Sequence, residues 1–231
     1  MTITGRNRLA GEADPCRTSL YGPPSMDALA ERALHLARAG RALLGLVGEP
    51  GAGKSTFAEQ LWARLEKERP GWAVTVSMDG FHLAQKVIEA RGQAADKGTI
   101  GTFDADGFVA LLRRTRAETE NTVWWPEFDR DLEDPVAGAI DVAPHHRLVI
   151  VDGNFLLSVQ EPWRQVKDLL DETWFLDALP EPRRERLIRR YISHGFTPQA
   201  ARAKTLGVDE DTSALIRSTV SRADLVLGEA T

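Results

Sequence analysis

A chain of 231 residues that is 42% hydrophobic and 27% charged has the make-up of a globular protein with room for one α/β domain, which excludes a disordered or fibrous chain. A formal net charge of -5 supplies no diffuse basic field, so a nucleic-acid partner is not expected. The single cysteine, Cys16, excludes an intramolecular disulfide and a multi-cysteine metal site; with no stretch near the roughly 18 apolar residues of a membrane span, a cytoplasmic protein with no membrane partner is expected.

Residues 1 to 24 scatter Gly, Pro, Thr and charges without a period and end in Pro23-Pro24, which predicts a flexible N-terminal leader ahead of a single domain at 25 to 231. Ser25 offers a helix cap, and Leu29, Ala33 and Leu36 recur on one face up to Gly40. The apolar run ALLGLV (42 to 47) predicts a buried strand, and Phe57, Leu61, Trp62 and Leu65 recur at helical spacing after it. Between them, GEPGAGKS satisfies the G-x-x-x-x-G-K-[ST] pattern in the strand-to-helix setting that the pattern needs. Glycines there let backbone N–H groups turn inward around phosphate oxygens, and the helix adds its positive end. Gly48, Gly51, Ala52, Gly53, Lys54, Ser55 and Thr56 are therefore the expected ATP contacts, with Lys54 on the terminal phosphates and Ser55 on Mg²⁺. No Asn-Lys-x-Asp string for guanine and no Leu-Ser-Gly-Gly string of transporter ATPases occurs, which weakens switch and motor readings.

The next strand, WAVTVS (72 to 77), delivers Asp79 to the carboxyl edge of the sheet, where ligands of open α/β sheets bind. A carboxylate there suits the base that takes the proton of an attacking hydroxyl, although Asp79-Gly80 is also a turn pair. His82 either hydrogen-bonds an acceptor or serves the structure. Further runs at 122 to 125, 147 to 152, 173 to 177 and 223 to 227 alternate with segments long enough for helices, which predicts a mostly parallel sheet covered on both faces. Asp104 and Asp106 precede an apolar helix and compete as caps. Arg130 either grips an anionic or polyhydroxylated substrate or pairs with Asp129 or Asp131. Asp152 ends a buried strand, the place for a carboxylate that reaches Mg²⁺ directly or through water, or for a turn. Residues 181 to 195 form a predicted helix from Pro182 to Gly195 with five arginines. Arg186 and Arg190 share one face and suit charge neutralisation on a moving phosphoryl group, whereas Arg183 or Arg184 is expected on a solvated face.

GEPGAGKST, MDGFH, KGTIGTFD (97 to 104), PEFDR (126 to 130), VIVDGN (149 to 154) and RERLIRR (184 to 190), in this order, resemble the P-loop kinase superfamily of uridine kinases, pantothenate kinases and phosphoribulokinases over about residues 40 to 228. Within it, DGFH and the TFD string are similar to a branch of nucleoside kinase-like and sugar-transport-associated kinases. The resemblance implies a three-layer α/β/α P-loop NTPase fold with a helical lid at about 181 to 205, ATP and Mg²⁺ as cofactors, Asp79 as base, Asp104 and Arg130 at the acceptor, and lid arginines at 186 and 190. Departures concern Thr99-Ile100, where the family places a small residue and a proline, Asp152 for Glu, and Thr212-Ser213 for an Asn, so no adenine contact is assigned.

The expected function is an ATP-dependent kinase acting on a hydroxyl of a small-molecule substrate: a nucleoside, a pantothenate-like alcohol or a sugar. Alternatives are an ATP-binding regulatory protein that uses nucleotide as a switch and a nucleoside monophosphate kinase. A homodimer is the prior for assembly.

Overall fold

The computed structural model describes residues 24 to 228. The predicted leader, Pro24 apart, lies outside them with Cys16, as do the last three residues of the predicted domain. Helix α1 (Met26–Leu36) starts where the Ser25 side chain accepts a hydrogen bond from the Ala28 N–H, and it buries Leu29, Ala30, Ala33 and Leu34. Strand β1 (Ala42–Gly48) is buried along its whole length, which marks it as central. The glycine loop joins it to α2 (Lys54–Glu68), and β2 (Ala73–Ser77) follows. Then come α3 (Gln85–Ala90), α4 (Ala105–Ala117), β3 (Val123–Asp129), β4 (Asp134–Val142), β5 (Leu148–Gly153), α5 (Val166–Leu169) and β6 (Glu172–Asp177). Helices α6 (Pro180–Ser193), α7 (Pro198–Leu206) and α8 (Val208–Arg217) and strand β7 (Leu225–Gly228) complete the described chain.

Five strands form one parallel sheet in the order β2-β5-β1-β6-β7. Period-2 alternation sends their side chains to two cores. Leu44, Leu46, Leu148, Ile150, Trp174 and Leu176 pack with α1 and α2 on one face. Leu43, Val47, Val149, Val151 and Phe175 pack with α4, α5 and Ile216 of α8 on the other. The fold is thus a three-layer α/β/α sandwich around a parallel sheet, as the alternation of runs and helices predicted.

One strand differs from its expectation. The run at 122 to 125 does not join the sheet; it opens β3, which pairs antiparallel with β4 in a separate hairpin. Its burial alternates, with Val123 and Trp125 at 0% exposure and Trp124 at 57%, so it has one dry and one wet face, and Pro126 interrupts the ladder with a register shift. Its partner, Asp134–Val142, is too polar and too rich in small residues to register as an apolar run. Trp125 anchors the hairpin: its Nε1 donates to Thr115 Oγ1 of α4 at 2.8 Å, and its ring meets Phe81 and Phe108 edge-on.

Candidate active site

The parallel register sets Ser77 at the end of β2 beside Asp152 at the end of β5, and Val47 of β1 beside Gly153. Three strand ends therefore meet at one edge, where the glycine loop also lies. Gly53 caps α2 with φ +90°, a left-handed conformation that favours glycine, and its turn aims the start of a 15-residue helix at the loop. Lys54 folds back over the loop, its Nζ donating to the carbonyls of Gly48 at 3.0 Å and Glu49 at 3.1 Å. Desolvation lowers the Lys54 ammonium to about 8, with Asp152 and Asp79 pulling the other way. Ser55 Oγ donates to Asp152 Oδ2 at 3.1 Å and Ser77 Oγ to Asp152 Oδ1 at 2.6 Å. Burial, then the charge of Asp79, raises the Asp152 carboxyl, against the two serine hydrogen bonds and Lys54. Mg²⁺ takes hard oxygen donors, using one or two carboxylates beside waters and substrate phosphates. Ser55 and Asp152 form such a pair at the phosphate loop, so the residues present fit that ion.

After β2 the chain enters a 3₁₀ turn over Met78–Phe81, with the Asp79 N–H bonded to Ser77 Oγ at 3.1 Å. Gly80 is needed for close approach rather than for a left-handed turn: a Cβ there would lie 2.4 Å from the Pro126 carbonyl oxygen of β3. The hairpin thus presses on the turn that carries Asp79. Arg130, just past β3, brings Nη2 to 3.6 Å from Asp79 Oδ2 and sets its guanidinium 5.8 Å from the Phe128 ring centroid. Arg130 therefore pairs with the remote Asp79, not with its chain neighbours. Asp79, Arg130, Phe128, Glu127 and Ile140 line one cavity of about 280 Å³ together with Ser55, Ser77 and Asp152. Candidate base and candidate metal-holding pair open onto the same space.

Two candidate acceptor residues lie outside that lining. Asp104 Oδ1 accepts from the Gly107 N–H at 2.9 Å and caps α4, the capping alternative of the two. The His82 ring sits between Phe103 and Phe128, at 4.0 and 4.9 Å between centroids. Its Nδ1 lies 2.8 Å from the Asp79 carbonyl, which can only accept, so Nδ1 carries the proton. Burial lowers the His82 imidazole, against the attraction of Asp79.

Arg186 and Arg190 of α6 line a cavity of about 200 Å³ with Gly51, Gly53, Lys54, Ser55 and Thr56. Arg186 also borders a second cavity of about 380 Å³, next to Ala52, Phe57, Leu176 and Leu227. Arg183 corrects the expectation of a solvated face: it is 0% exposed, and its Nη2 donates to Glu210 Oε2 at 2.7 Å. Arg184 is only half-buried, yet it too is engaged, with both oxygens of Glu210. Glu210 is 26 and 27 positions away, so local spacing could not reveal the counter-charge. Sequence reasoning also passed over Ser77, which tethers Asp152, and Glu49, a 1%-exposed carboxylate inside the loop paired with Arg217. A charged residue within a glycine-rich phosphate loop was the available signal for the second.

No protein-family model matches the chain. A candidate uridine kinase of Schizosaccharomyces pombe is 32% identical to it over 212 residues, which cover 88% of this chain and 90% of the relative. The crystal structure of a candidate fructose transport system kinase from Silicibacter sp. TM1040 superposes with a TM-score of 0.79 at 34% identity, covering 88% of this chain and 98% of that one. YFH7 of Saccharomyces cerevisiae, described as a P-loop containing kinase, superposes with a TM-score of 0.76 at 19% identity over 89% and 98% of the two chains, which shows a shared fold.

Proposed function

The chain belongs to the P-loop kinase superfamily of uridine kinases and phosphoribulokinases, and from that premise we propose that it transfers the γ-phosphoryl group of ATP to a hydroxyl of a small metabolite. Nucleotide use and kinase-type chemistry follow from membership; the acceptor and the residue roles are our reading. The observation that carries it is the single cavity in which Asp79, Arg130 and Phe128 face Ser55 and Asp152 beside the phosphate loop.

Phosphoryl transfer asks the protein mainly to position groups and to neutralise charge. Lys54 and the N–H groups of the loop and of α2 hold the phosphates. Ser55 and Asp152 would hold Mg²⁺, which when bound neutralises charge on the β- and γ-phosphate oxygens. Arg130 engages one carboxylate oxygen of Asp79 and leaves the other to accept the hydroxyl proton as the acceptor oxygen attacks phosphorus and the bond to ADP breaks. Arg186 and Arg190 stabilise the charge on the group in flight, and their helix, packed against the loop, keeps water from competing. The reaction yields ADP and a phosphate ester, with the proton on Asp79.

The acceptor is a nucleoside, a pantothenate-like alcohol or a sugar, and the names of the relatives put uridine and fructose first in a screen. The test is ADP release with ATP, Mg²⁺ and a metabolite panel, with products identified by mass. One hydroxyl compound that bears no phosphate should raise ADP release well above background. Stimulation only by nucleoside monophosphates would favour the monophosphate kinase, and stimulation only by a macromolecule the regulatory switch.

A further inference from the structure

Arg183 and Glu49 are the two most buried charged side chains among the described residues, and they face each other at the phosphate loop with Nε 3.8 Å from Oε1. Arg183 Nη1 donates to the carbonyl of Pro50 at 3.3 Å, while Nη2 reaches Glu210 of α8. Arg217, also on α8, closes on the same Glu49 oxygen, with Nε at 3.2 Å, and brings Nη2 to 3.8 Å from Glu210. The backbone is packed as closely as the charges: a Cβ on Gly51 would come within 2.8 Å of the Arg183 carbonyl oxygen and of Leu187 Cγ.

Burying the Glu49 carboxylate with the Arg183 guanidinium adds little to stability over apolar packing of the same volume, because desolvation offsets the attraction. What a buried guanidinium does supply is fixed geometry, since its planar fork accepts partners in few directions. Here the fork bonds the Pro50 carbonyl in the middle of a glycine-rich segment whose N–H groups must point at phosphate. The same arginine lies one turn before Arg186 and two before Arg190 on α6. We infer that Glu49 and Arg183 are positioning residues that fix the phosphate loop and tie it to α6, so that holding the nucleotide and placing the two arginines are one event. This rests on the reading of GEPGAGKS as the nucleotide site and needs no knowledge of the acceptor.

The test is the affinity of the purified full chain for a fluorescent ATP analogue with Mg²⁺, at a temperature where each variant is folded by circular dichroism. Glu49→Gln keeps the shape and removes the charge, and it should weaken the analogue about tenfold or more, since a small misplacement of a positioned group costs on that order. Arg217 is 45% exposed and is the other partner of the Glu49 carboxylate, so Arg217→Gln loosens Glu49 with less risk to folding and should weaken binding in the same direction, while Arg217→Lys restores most of it. A structural role alone would lower the melting temperature and leave the affinity of the folded protein unchanged. Wild-type binding with folded Glu49→Gln and Arg217→Gln within about twofold of it would overturn the inference; if Glu49→Gln does not fold, Arg217→Gln decides by the same criterion. Wild-type protein that does not bind the analogue contradicts the nucleotide-site reading itself.

Discussion

Asp79 stands in the turn that follows β2, with Arg130 Nη2 3.6 Å from its carboxylate. Its place after the second strand was legible because strand ends and ligand sites coincide in parallel sheets. Its partner was not: Arg130 lies 51 positions on, and the contact at 3.6 Å exists only because the β3–β4 hairpin folds over the strand end. The same limit hid Glu49, Arg183 and Ser77, whose partners are far along the chain, whereas the Asp104 cap was visible as one of two local options. If Asp79 is the base, Asp79→Ala retains ATP affinity within a few fold and lowers the rate of transfer to the acceptor by about 10²- to 10⁴-fold, measured as phosphorylated product in a single turnover. An unchanged rate removes Asp79 from the chemistry. Arg130→Ala should act more weakly and mainly on the acceptor KM, because its guanidinium is half-exposed and pairs at the edge of the cavity.

At the scale of elements, the parallel strands were legible as short apolar runs and the hairpin was not. A strand buried on both faces writes an uninterrupted signal, whereas β4 exposes most of its residues and writes none. The contact between hairpin and turn predicts a specific sensitivity. Gly80→Ala places a methyl group against the Pro126 carbonyl, and backbone cannot yield as a side-chain tip does. A loss of about 1–3 kcal/mol in urea unfolding is expected, together with reduced transfer as Asp79 shifts. The tie between α6 and α8 predicts a pH effect. Hydrogen bonds from Arg184, then Arg183, hold the Glu210 carboxyl down from 4.5 to about 2. A depressed carboxyl contributes stability that is present above pH 4.5 and is lost as pH falls towards 2. Glu210→Gln should therefore melt lower than wild type at neutral pH, and the difference should narrow across that window. A constant difference down to pH 2 would show that the ion pairs carry none of it.

Across the whole molecule, the phosphate loop, the sheet edge and α6 converge on adjoining cavities, an arrangement that suits phosphoryl transfer. Among the described residues no helix is long and apolar enough to cross a membrane. A cavity of about 680 Å³ between α1, the end of α2 and Trp72 shares no residue with the phosphate loop. Arg186→Ala with Arg190→Ala should slow transfer by about 10³-fold or more while ATP still binds, since arginines that meet the transferring group act on the transition state. The most direct measurement of the central claim follows the γ-phosphoryl group itself. With ATP carrying heavy oxygen on that group and the acceptor found by screening, mass spectrometry should find the label in a phosphate ester of the acceptor for wild type and almost none for Asp79→Ala. Label that appears only in inorganic phosphate, or equally in the esters made by both proteins, would contradict the account.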